Sequence, residues 1–157
     1  MPKAVVAKIK SALSRLPRKK TLLIIFALLV MTLPFVFYQP NRATLRVGKS
    51  TYSLSIAATE QKREMGLSNR TALADGRGML FVFDKPNTAC MWMKDMRFSL
   101  DMLWLDTHKK VVHVEQDVTP ESYPASYCSD VPAKYVVELN TGEVVKTGVR
   151  VGQTLRL

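Results

Sequence analysis

The stretch 79–118, MLFVFDKPNTACMWMKDMRFSLDMLWLDTHKKVVHVEQDV, decides the fold. It holds four strand-like runs, 79–83, 90–94, 100–105 and 111–118, separated by short segments. Runs of this length, rich in aromatic and β-branched residues and bounded by turn formers, read as strands. The first is apolar throughout and stops before Pro86, as expected of a strand buried on both faces. Asp106-Thr107-His108-Lys109 turns the chain between the last two. Side chains alternate along a strand. Cys90, Trp92 and Lys94 therefore share one face and Met91 and Met93 the other, and Asp101 lies on a face with Leu103 and Leu105.

The same pattern continues on both sides. Segments 43–47 and 51–56 form a hairpin around Gly48-Lys49-Ser50. Thr59 caps a short helix that runs to Met65 and ends at Gly66. Ser68 caps a second helical turn through Leu73, ended near Asp75-Gly76. Downstream, 135–139 and 144–145 flank Asn140-Thr141-Gly142-Glu143, a hairpin turn, and 149–157 is extended. These pieces predict a mostly-β (α+β) domain over 43–157, a compact small barrel or sandwich with one or two short helices.

The segment before it predicts location. Residues 1–20 form a basic stub, 21–38 an uncharged apolar run, TLLIIFALLVMTLPFVFY, and 39–42 a linker. Eighteen such residues can just cross a bilayer as a helix. The basic flank keeps the N-terminus in the cytoplasm. No small-x-small triplet ends the run, so an uncleaved anchor is expected rather than a cleaved signal peptide. The chain is then a single-pass protein of the cytoplasmic membrane, its helix in lipid and its C-terminal domain outside. The formal net charge of +10 follows from this topology. The stub carries seven basic residues and no acid, and the rest holds 16 Lys and Arg against 13 Asp and Glu. The high pI therefore does not indicate a nucleic-acid partner.

Two cysteines, Cys90 and Cys128, both fall outside, where an even count reads as a disulfide. With Lys94 placed opposite Asp101 across a hairpin, Trp92 falls beside the ion pair. That register predicts a polar anchor at the rim of an aromatic-lined pocket; a purely structural cross-strand pair is the other reading.

The stretch 63–157 resembles the bacterial and archaeal domain-of-unknown-function family numbered 192, an uncharacterised ancient conserved region. The likeness rests on Met65-Gly66-Leu67-Ser68 with Arg70, Gly78-Met79-Leu80-Phe81-Val82-Phe83, Trp92-Met93-Lys94 and Leu100-Asp101. Tyr127, Ser129, the block PAKYVVELN at 132–140, Gly142, Gly148 and Gly152 complete it. Met91, Asp95-Met96 and Ser99 depart from the family's pattern. The resemblance implies a small mostly-β domain, often exported, and supplies no settled activity.

The residues that could carry chemistry are few. No Gly-x-Ser-x-Gly elbow is present, and a disulfide would consume both thiols. His108 and His113, the two histidines, lie on a turn and a strand and do not suggest a metal site. The sequence implies neither metal nor cofactor. The Met-rich run 90–96 fits copper(I) by softness, but alternation points Met91 and Met93 to a core. Arg70, Trp92, Lys94, Asp101 and Glu138 form the expected ligand-binding set. The function expected is a binding or accessory module of the cell envelope, engaging an envelope ligand or protein partner. Alternatives are an envelope hydrolase using Asp101 or Glu138 as general base, and a structural spacer.

Overall fold

The computed structural model describes residues 41–157. The expected stub, anchor and first half of the linker lie outside the described residues. Among those described, no helix is long and apolar enough to cross a membrane.

Among the described residues eight strands and two short α-helices follow one another: β1 (Arg42–Val47), β2 (Ser50–Ala57), α1 (Glu60–Met65), β3 (Arg77–Asn87), β4 (Cys90–Trp92), β5 (Leu100–Leu105), β6 (Val111–Val118), β7 (Ser126–Cys128), β8 (Ala133–Asn140) and α2 (Glu143–Thr147). Arg42, expected in the linker, already opens β1. Six strands make one sheet in the order β1-β2-β3-β8-β5-β6, and β4 pairs with β7 in a separate ribbon. The sheet is open, neither a closed barrel nor two sheets stacked as a sandwich. The segment after α2 spans its two edges at one end: Arg46 N–H donates to Arg156 O, and Val111 N–H to Gln153 O.

All pairs in the large sheet are antiparallel except β2 with β3. Parallel neighbours need a crossover of a dozen or more residues, and 58–76 supplies it, carrying α1. Thr59 caps α1 by accepting Lys62 N–H at 3.3 Å, and Gly66 ends it with φ 49°. The second helical turn expected from Ser68 is not formed. The chain turns there instead, because Ser68 Oγ is drawn away to the Lys94 carbonyl at 2.8 Å and Asn69 N–H to the Asp95 carbonyl at 2.8 Å.

Period-two alternation on the central strands divides the core in two. Met79 and Phe81 of β3, Met102 and Trp104 of β5 and Val136 of β8 pack on one face with Leu67, Met91 and Met93. Leu80, Leu103, Leu105, Val137 and Leu139 pack on the other with Leu45, Leu54, Val144 and Leu155. β5, between β6 and β8, is buried at all six positions. Trp104 is fully buried, and its Nε1–H donates to Ala89 O at 2.8 Å. Met91 and Met93 are thus core fillers, as alternation predicts.

Two further expectations are overturned. The pair 144–145 is not a strand returning from a hairpin; Gly142 and Gly148, both left-handed, bracket helix α2 instead. Its N-terminal Val144 N–H is taken by a carboxylate distant in sequence, Asp101 Oδ2 at 2.8 Å. Nor do the runs around Lys94 and Asp101 form a hairpin. Both edges of β5 are occupied by β6 and β8, and Asp101 lies opposite Leu139. β4 pairs with β7, placing Cys90 opposite Cys128.

Candidate functional site

A pocket of about 230 Å³ opens between α1, the β4 ribbon and the sheet face that carries Phe81. Its floor holds Glu138. On β8 this residue lies opposite Met79 of β3 and Met102 of β5, so its neighbours across the ladder are thioethers. Only 4% of Glu138 is exposed, and its Oε2 has no hydrogen-bond partner among the described residues. Burial without compensation disfavours the charged form. It pushes the carboxyl from the ordinary carboxylate range up to about 8. At neutral pH Glu138 is mostly a neutral acid, able to donate one hydrogen bond or to ionise when a cation arrives.

Leu67, Phe81, Phe83, Met91 and Met96 supply the apolar lining, with Met65 and Trp92 among the lining residues on the outer side. Met65 is 61% exposed and Trp92 43%. The exposed Glu60 and Glu64 and the half-buried Arg63 of α1 complete the lining. Arg63 anchors the helix, donating from Nη1 to Ala58 O at 2.8 Å and Val82 O at 2.9 Å, with its guanidinium 5.5 Å from the Phe83 ring centre. Gly66 passes close to Phe81: a Cβ there would stand 3.4 Å from the ring. The helix buries none of its own side chains.

The five expected site residues separate. Trp92 and Glu138 line the pocket. Lys94 is exposed in the turn after β4, and its carbonyl rather than its ammonium is engaged, by Ser68. Arg70 is exposed and outside the pocket lining. Asp101 is only 1% exposed, and both its oxygens accept backbone N–H groups, from Asp117 at 3.0 Å and Val144 at 2.8 Å. A carboxylate so engaged ties two backbone segments together, and Asp101 stands outside the pocket lining. The rim ion pair with Lys94 does not exist. Cys90 and Cys128 are bonded, with Cα atoms 4.1 Å apart, and Cys90 lines the pocket. Sequence reasoning missed Glu60 and Arg63 of α1 and the aromatic wall of Phe81 and Phe83, whereas Glu64, like Glu138 a candidate acid in the sequence, does line the pocket. The signal present was a six-residue helix with no buried face, which must cover something other than core.

The fold and site thus define a small open-sheet domain with one enclosed carboxyl beneath a helical cover. The sequence profile of DUF192, described as Uncharacterized ACR, matches residues 43–157, and the chain belongs to that family. Among solved structures, a candidate transcription regulator from Sinorhizobium meliloti 1021 is 32% identical with a TM-score of 0.68, over 73% of this chain and 91% of that one. A protein of unknown function from Novosphingobium aromaticivorans DSM 12444 is 23% identical with a TM-score of 0.66, over 74% and 84%. The latter likeness concerns the fold alone. No curated protein matches the chain.

Proposed function

We propose that the domain is a small-ligand binding or accessory module of the cell envelope, its site the pocket beneath α1 and its polar anchor Glu138. One observation carries the reading: a carboxyl buried to 4% with an unpartnered oxygen opens onto an apolar pocket. Buried polar atoms in native proteins nearly always have partners. A carboxyl left without one at a pocket floor fits a ligand that supplies it. Residues 21–38 act in this reading as an uncleaved anchor that holds the domain outside the cytoplasmic membrane. The Cys90–Cys128 bridge supports that placement, since disulfides persist in oxidising compartments. Nucleic acid is set aside as a partner, because residues 41–157 carry 16 basic against 13 acidic side chains.

A small-molecule screen by thermal shift on the full chain tests the reading. Ligands that bind only the native state raise its apparent stability. The expected result is a ligand class whose stabilisation is lost in both Trp92→Ala and Glu138→Gln. A screen whose hits all ignore both substitutions would refute the site.

A hydrolase using Glu138 as acid or base is the second reading, favoured by a carboxyl held near neutrality. It requires that Glu138→Gln abolish turnover while ligand binding survives.

A further inference from the structure

Three carboxyl side chains and one guanidinium line the pocket, and the guanidinium is already engaged. Arg63 Nη1 is shared by the Ala58 and Val82 carbonyls, and its Nη2 lies 3.9 Å from Asp84. Glu60 and Glu64 are exposed along the same pocket, while Glu138 waits at the floor. The rest of the lining is rich in aromatic rings and thioethers, among them Phe81, Trp92 and Met91. Aromatic faces attract cations and repel anions. An anionic ligand would meet excess negative charge and find no free cation in the lining among the described residues. A neutral apolar ligand would leave the Glu138 oxygen unpartnered.

We infer that the pocket takes a small organic amine, a monocation whose ammonium group pairs with Glu138 and whose apolar body lies against Phe81 and Met91. This rests on the pocket being a binding site, and names the chemical class of its occupant.

The groups around Glu138 set how binding responds to pH. β3 presents Met79 and Phe81, β5 presents Met102, and β4 presents Met91, none of which titrates. The ionisable groups facing the pocket from α1 are Glu60, Arg63 and Glu64. With no base beside it, the Glu138 proton leaves to solvent when an ammonium arrives. The balance is one protonated amine plus one neutral carboxyl giving one ion pair plus one released proton. Affinity therefore rises by up to about tenfold per pH unit as the pH approaches the Glu138 titration, then levels off.

Calorimetric titration of the full chain tests this with three probes of one skeleton: 2-phenylethylamine, 2-phenylethanol and 3-phenylpropanoate. The amine should bind at least tenfold more tightly than the alcohol at pH 8.5, and the carboxylate should not bind. At pH 6.5 each amine bound should release close to one proton, read by comparing buffers of different ionisation heat. Glu138→Gln should weaken the amine tenfold or more and spare the alcohol. The surface pair Glu60→Gln with Glu64→Gln, on a helix face without buried residues, should weaken it about two- to threefold. Equal, pH-independent binding of amine and alcohol overturns the amine class and leaves the binding site standing. So does a screen hit that depends on Glu138 while the amine fails to bind. A pocket that binds neither these probes nor any screened ligand defeats both readings.

Discussion

Asp101 caps helix α2 from forty-three residues away: its Oδ2 accepts the Val144 N–H at 2.8 Å, while Oδ1 holds Asp117 N–H at 3.0 Å. The local N-cap, Gly142, has no side chain to do this. One buried carboxylate thus holds both the end of β6, at Asp117, and the start of α2.

Asp101→Asn should lower stability by about 1.5–3 kcal/mol, the range for a hydrogen bond to a charged group. Denaturant midpoints measure it. Lys94→Met, at an exposed turn, should cost under about 0.5 kcal/mol. The double variant should be additive, since the two residues share no contact. A coupling above 0.5 kcal/mol would restore the rim ion pair.

Stability should fall with pH because of Glu138. Below about 4.5, the ordinary value, the carboxyl is protonated in both folded and unfolded chains. Between that value and about 8 only the unfolded chain ionises, so the native state loses relative stability as pH rises, and the loss is complete above about 8. The slope is on the order of 1.4 kcal/mol per pH unit for a fully buried group. Glu138→Gln should match the parent near pH 4 and exceed it at pH 8.5. Parallel midpoint curves for the two proteins would contradict this.

Gly78→Ala should be severely destabilising. A Cβ at Gly78 would lie 2.6 Å from the Glu138 carbonyl oxygen, 2.6 Å from Leu54 Cδ2 and 2.8 Å from Leu139 Cδ2. The backbone atom belongs to the paired strand β8 and cannot yield without breaking the ladder. Overpacking of this kind costs about 1–3 kcal/mol or more. A variant with an unchanged thermal midpoint would show that β3 and β8 are not so closely apposed.

Denatured, unreduced protein should present no labelable thiol. Replacing Cys90 and Cys128 together by serine should cost about 3–4 kcal/mol by loop entropy for a separation of 38 residues. It should also loosen the β4–β7 ribbon beside the pocket, read as faster amide exchange at Met91 and Tyr127.

The anchor proposal predicts that the chain stays in the membrane fraction with its original N-terminus. A mature protein beginning near Gln39 would overturn it.

The sequence by itself determined what depends on near neighbours in the chain. Alternation placed Met91 and Met93 inward and Trp92 outward. Thr59 and Gly66 delimited α1, because caps act within one turn. The cysteine pair and the family blocks were also legible, as was Glu138, a lone acid in an apolar strand. Only the tertiary structure decided which strands meet. Residues 90–94 and 100–105 look like a hairpin, since proximity in sequence is the sole guide to pairing. In the folded chain β5 gains more by lying between β6 and β8, where all six of its side chains are buried. Segment 143–147 reads as a turn and strand until Asp101 arrives to accept the Val144 N–H. The pocket follows the same rule: Glu138, Phe81 and Arg63 come from three elements far apart in sequence. Their convergence was fixed by burial over the whole sheet, which no local pattern records.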